Sequence, residues 1–181
     1  IIAYPETRAG WGRLTRLLTL GNRRAKKGEC EIGLGDLLAD PEDLLLILMP
    51  PDRLTGLETV LARMAEAAPG AVWLGTAMHR RGDDRRRLTR LKALAVWAGV
   101  PLLAVNDTLY AGPEDRDLQD VLTCIREGVT IETAGLRLEA NAERWLKPPA
   151  EMARLFRDAP EAVGEATAFL SRATFDLSEL S

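Results

Sequence analysis

Apolar positions along the 181-residue chain follow two rhythms, and their alternation predicts the fold class. Four short runs have strand length: Ile1 to Tyr4, Leu44 to Met49, Val72 to Ala77 and Pro101 to Val105. The second reads as a fully buried strand stopped by Pro50 and Pro51. Between the runs the apolar spacing is helical. A basic helix covers Arg8 to Lys27, with Trp11, Leu14, Leu17 and Leu18 on one side. Thr55 to Ala68 places Leu57, Val60, Leu61 and Met64 at core spacing. A third helix opens at Asp83 and Asp84, where carboxylates suit the macrodipole, runs to Trp97 and stops at Gly99. Helices between buried strands imply parallel βα units. After Asp107 the pattern is mostly helical: Leu118 to Glu127, Pro148 to Arg157 and Pro160 to Arg172, the last two opened by prolines that a first turn tolerates. There is no internal repeat and no long linker. The pattern predicts one α/β domain with a helical C-terminal extension.

Composition agrees. Hydrophobic residues at 46% and charged residues at 28% are those of a folded domain rather than a disordered chain. No apolar run approaches the roughly 20 residues that cross a bilayer. Cys30 and Cys124 have no CxxC or His-rich neighbour, which argues against a disulfide scaffold or a structural zinc site and fits a reducing cytoplasm. A single histidine, His79, excludes any His-pair metal motif within the chain. The start at Ile1, without Met, and the polar end at Ser181 read as cuts from a longer protein.

The candidate chemistry is sparse. Asn106 and Asp107 close the fourth strand, where parallel α/β folds bind ligands. Asp107 reads either as a turn-capping residue or as a metal ligand or general base, with no His or Cys obviously converging on it. His79, in AMHRRGDD, reads as a helix-entry residue or as a ligand. Cys30 and Cys124 read as packing residues, Cys124 on the apolar side of its helix with Val121 and Ile125. The net charge of −3 gives no global field for nucleic acid, yet two basic clusters stand out. One holds Arg23, Arg24, Lys26 and Lys27; the other holds Arg80, Arg81, Arg85, Arg86, Arg87 and Arg90. Each is either a solvated helix face or a phosphate contact. The glycines form no phosphate cradle: Gly33 to Gly35 lacks a third glycine, and no GK[ST] follows Gly21 or Gly28.

Three segments carry a more specific signal: GWGRLTRLLTLGNRRAKKGEC (10–30), VPLLAVNDTLYAGPEDRDLQDVLTCIREG (100–128) and LEANAERWLKPPAEMARLFRDAPEAV (138–163). With these the chain resembles the polymerase-and-histidinol-phosphatase (PHP) region of bacterial C-family DNA polymerases, the DNA polymerase III alpha-subunit-like enzymes. It is most similar to their error-prone, damage-inducible branch. The resemblance implies a distorted (βα)7 barrel, of which residues 1–128 would supply a partial PHP-like α/β unit. Residues 129–181 would form a helical extension toward a polymerase domain beyond them. It also implies a cytoplasmic parent, a DNA-directed DNA polymerase for translesion synthesis. DNA and accessory damage-response proteins would be its partners, and its Mg would sit in the polymerase domain. The first barrel strands, with the HxH and DH ligand motifs, would precede Ile1.

The metal positions depart from that family's pattern. Where relatives read NDxHY this chain reads NDTLY, with Leu109 in place of the ligand histidine; Gly75 stands where relatives often carry a glutamate. Asp107 is then a vestigial ligand, His79 falls near a family ligand position, and the region is expected to be structural, with no cofactor of its own. Two alternatives stand beside this: a working metal-dependent phosphoesterase or 3′–5′ exonuclease, and a DNA-binding module using Arg23, Arg24, Lys26, Lys27, Arg85, Arg86 and Arg87. Apolar surface and an open sheet edge on the Ile1 side would favour a homodimer.

Overall fold

In a computed structural model, residues 1–180 are described. The strands are β1 (Ile2–Pro5), β2 (Leu44–Leu48), β3 (Val72–Thr76) and β4 (Leu102–Ala104), in the order β1-β2-β3-β4. Between them lie α1 (Arg8–Arg24), α2 (Leu34–Leu38), α3 (Leu57–Ala67) and α4 (Asp84–Ala98). After β4 come α5 (Arg116–Glu127), α6 (Ile131–Ala134), α7 (Pro149–Leu155) and α8 (Pro160–Arg172).

β2, β3 and β4 pair in parallel, as the βα rhythm predicts, but β1 runs antiparallel to β2. The reason is the long return through α1 and α2, which brings the chain into β2 beside the exit of β1. Glu6 N–H donates to the Asp43 carbonyl at 2.8 Å, stitching exit to entry. β1 is thus an edge strand, with Ile1, Ile2 and Tyr4 exposed.

Every residue of β2, β3 and β4 is buried, and their alternation divides the core between the two faces of the sheet. Leu44, Leu46, Leu48, Val72, Leu74, Leu102 and Ala104 point to one face. There they meet Leu61 and Met64 of α3, Leu88 and Leu91 of α4, and Met152 and Phe156 at the end of α7. Leu45, Ile47, Trp73 and Leu103 point to the other, where Phe169 of α8 sets its ring edge-on to Trp73 at 4.8 Å. α7 and α8 therefore share the core of the sheet.

Two helix faces differ from the periodicity. α1 ends at Arg24, with Ala25 extended, and buries Gly10 and Gly21 beside the part-buried Leu14 and Leu17, whereas Leu18 faces solvent. α5 buries Thr123 and Cys124 and leaves Leu118, Val121, Leu122 and Ile125 exposed, so Cys124 is covered while Val121 and Ile125 are not. Its main neighbours are the 3-10 turn Pro113–Asp115 and α6 rather than the sheet, which is why its apolar stripe finds no cover. Among the described residues no helix is long and apolar enough to cross a membrane.

Candidate functional site

The C-terminal ends of the parallel strands open into a cleft of about 550 Å³. His79, beyond β3, and Asp107, beyond β4, face each other across it. The strand ends do not hold these residues alone. Residues 139–147 run back alongside 106–110 and zip to them. Leu109 N–H donates to the Arg144 carbonyl at 2.8 Å, and Leu146 N–H to the Tyr110 carbonyl at 3.2 Å. The Asn106 side chain accepts from Lys147 N–H at 3.0 Å. Asn141 Nδ2 donates to the His79 carbonyl at 2.7 Å, and His79 N–H donates to Asp84 Oδ1 at 2.9 Å. Asp84 therefore caps the loop before α4, while Asp83, at the N-cap, makes no side-chain capping bond.

Arg144 dominates the electrostatics. Its Nη2 donates to Asp107 Oδ1 at 2.8 Å, its Nε to the Asp107 carbonyl at 2.9 Å and its Nη1 to Glu139 Oε1 at 2.8 Å. Such forked, charge-assisted contacts are the strong ones. Arg81 bridges Asp52 at 2.9 Å and Glu139 at 3.4 Å. Arg87 turns inward and donates to the carbonyls of Pro50, Pro51 and Asp52. The cleft is thus laced with guanidinium groups already bound to carboxylates and carbonyls.

The expectation that nothing converges on Asp107 is corrected: His79 Nε2 lies 3.5 Å from Asp107 Oδ2. The imidazole is nonetheless neutral at neutral pH. Burial pushes its pKa below the usual histidine value; Asp107 pulls the other way, while Arg81, Arg144 and Lys147 reinforce the depression. Its Nε2 is buried, so a substrate in the cleft has no direct path to it. Nearby, Lys147 is buried, with Nζ on the Glu143 carbonyl and 5.4 Å from the Trp145 ring centroid; burial lowers its pKa from the ordinary lysine value.

The remaining expected positions scatter. Leu109 is partly exposed and brings no donor. Gly75 is buried in β3, and a side chain there would run into Met49 Sδ at 2.5 Å and Ile47 Cγ2 at 3.1 Å. Among the described residues no group of three or more His, Cys, Asp or Glu side chains could hold a metal ion. Cys30 is exposed and Cys124 buried, and both are free thiols. The second basic cluster does not form one free face: Arg87 is bound to carbonyls, Arg85 lies 3.7 Å from Asp158, and Arg80 meets Glu143 and Glu151. In the first cluster Arg24 pairs with Asp36 at 2.7 Å, while Arg23, Lys26 and Lys27 are exposed and unpaired among the described residues. Sequence reasoning missed Arg144, Glu139 and Asn141, because only the fold brings NAERWLK beside NDTLY; no local spacing signals it.

No family model matches the chain. It is nevertheless similar along nearly its whole length to proteins named error-prone DNA polymerase. It is 52% identical over 182 residues to that of Rhodopseudomonas palustris (strain BisB5) and 51% identical over 187 residues to that of Bradyrhizobium sp. (strain ORS 278), covering 99% of this chain in each case. To error-prone DNA polymerase 1 of Rhizobium meliloti (strain 1021) it is 49% identical over 184 residues, covering 100% of this chain. The chain spans 16% of the length of each of these relatives and corresponds to one segment of such proteins.

Proposed function

We propose that this chain is a structural, non-catalytic PHP-type part of an error-prone DNA polymerase, with its ancestral metal site dismantled. The parent would be a DNA-directed DNA polymerase extending primers across lesions. Its Mg would be bound in a polymerase domain outside these residues, and it would act in the cytoplasm with accessory damage-response proteins. Similarity along nearly the whole of this chain to one segment of the named polymerases supports the parentage.

One observation carries the non-catalytic reading: the Arg144 guanidinium sits on Asp107. A bound divalent cation needs several converging donors and open carboxylate oxygens. Here Oδ1 is taken by Arg144, and Leu109 and Gly75 add no donor. The residues present do not fit a metal. What they fit is a clamp that locks the segment after β4 to residues 139–147.

The test uses the chain with 3′-labelled single-stranded DNA and Mn²⁺ or Zn²⁺, beside Asp107→Asn. The expected result is no metal-dependent nucleotide release and a thermal midpoint indifferent to either metal or to EDTA. Metal-dependent release that disappears in Asp107→Asn overturns the reading in favour of a working phosphoesterase.

A further inference from the structure

We propose that the outward face of α1, continued by the loop behind it, is a contact surface for the phosphate backbone of nucleic acid. This rests on the polymerase reading above and adds to it the place where the segment meets DNA.

The charge distribution is lopsided. Between Arg8 and Lys27 stand Arg8, Arg13, Arg16, Arg23, Arg24, Lys26 and Lys27 without one Asp or Glu, in a chain whose net charge is −3. Helix geometry sorts these residues. At 3.6 residues per turn, Gly10, Leu14, Leu17 and Gly21 share the side turned to the fold. Arg8, Arg16 and Arg23 fall within about 80° of one another on the opposite side. Thr19, also exposed, lies between them, so the stripe has no acidic member.

Neutralisation separates this stripe from the flank of the same helix. There Arg13 is held by Asp40, Glu42 and Asp43, and Arg24 by Asp36. Arg8, Arg16, Arg23, Lys26 and Lys27 are all exposed and have no acidic partner among the described residues. The acidic groups nearest in sequence are Glu6, which is held by Arg172, and Glu29 and Glu31, beyond Gly28. These five cations lie along a helix and its exit. From Arg8 to Arg23 the stripe is about 22 Å long, matching about six phosphate steps of a strand at about 3.4 Å each.

The stripe has no free aromatic platform, since Trp11 is stacked on Phe175 with ring centroids 5.5 Å apart. Bases are then left unread, and binding is ionic and independent of sequence.

The test measures binding of fluorescein-labelled dT30 to the chain from 50 to 200 mM salt. At about 0.7 released counterions per contact, five contacts give a log–log slope near −3.5, or about a 100-fold loss over that range. In Arg8→Gln/Arg16→Gln/Arg23→Gln, which keeps good helix formers, the slope is expected near −1.4 and the loss under about 10-fold. Charge reversal at Arg85, Arg86 and Arg87 is expected to leave both unchanged. An unchanged slope in the Gln variant, no binding at 50 mM salt, or capture by phosphatidylserine vesicles in preference to dT30 overturns the proposal. None of these results bears on metal-dependent hydrolysis at Asp107, so the two readings fail separately.

Discussion

Arg144 holds Asp107 by side chain and backbone at once, Nη2 on the carboxylate at 2.8 Å and Nε on the carbonyl at 2.9 Å, across 37 residues of chain. Asp107 needs the support: its φ of 49° is left-handed, a conformation that costs a non-glycine residue roughly 1 kcal/mol and that Asp tolerates better than most. One guanidinium therefore fixes both the strained residue and the segment lying beside it.

Removing that guanidinium tests the clamp. Arg144→Met is expected to lower stability by about 1–2 kcal/mol, the low end of the range for charged hydrogen bonds because both groups are partly exposed. Arg144→Lys should restore less than half of the loss, since an ammonium has no fork to span side chain and carbonyl. Urea midpoints for the three proteins decide it. Equal midpoints for wild type and Arg144→Met would show that the contact contributes nothing.

The clamp also marks how much of the molecule was legible in its sequence. Leu44 to Met49 and Val72 to Ala77 declare themselves as strands because burial on both faces makes them continuously apolar. The direction of β1 does not, because direction depends on where residues 6–43 bring the chain back. Asp107 was visible as a strand-end carboxylate, but its partners come from a segment with no periodic relation to it. The periodicity of α5 was legible and its orientation was not: a strong apolar stripe says that a helix has a face, and only tertiary contacts say which face is covered.

His79 makes acid sensitivity measurable. Its folded-state pKa is depressed, chiefly by burial, so between about pH 7.5 and 5.5 the unfolded chain takes up a proton that the folded chain refuses. Stability should therefore fall as pH drops through this window, above the range where carboxylates titrate. His79→Asn should flatten that part of the curve. Urea midpoints at half-unit pH intervals are the measurement, and parallel curves for the two proteins would refute the assignment.

Gly10 lets α1 approach the sheet. A Cβ there would strike the Asp43 carbonyl oxygen and lie 3.0 Å from its carbon, and that carbonyl is already fixed by Glu6 N–H. Alanine in a helix normally gains about 1 kcal/mol over glycine. Here overpacking against backbone, about 1–3 kcal/mol, outweighs it. Gly10→Ala is expected to lower the urea midpoint, whereas Gly12→Ala, with open space at its Cβ, is expected to raise it. A rise in both would show that α1 stands off further than the structure places it.

Phe156 and Leu122 give opposite expectations for two large apolar side chains. Phe156 has no exposed surface and packs with Met152 and Ala159 in the larger apolar cluster. Truncation to alanine leaves a cavity costing about 3–5 kcal/mol. At about 2–4 °C per kcal/mol for a chain of this size, the thermal midpoint should fall by roughly 10 °C. Leu122 and Ile125 are 51% and 71% exposed on α5, so little apolar contact is lost when they become polar. Leu122→Gln/Ile125→Gln should therefore move the midpoint by less than about 4 °C, because surface substitutions stay within about 0.5 kcal/mol each. Differential scanning calorimetry of the two variants separates the cases. A fall in the α5 variant as large as that in Phe156→Ala would mean that its apolar stripe is packed in solution, and the exposed face described for α5 would be wrong.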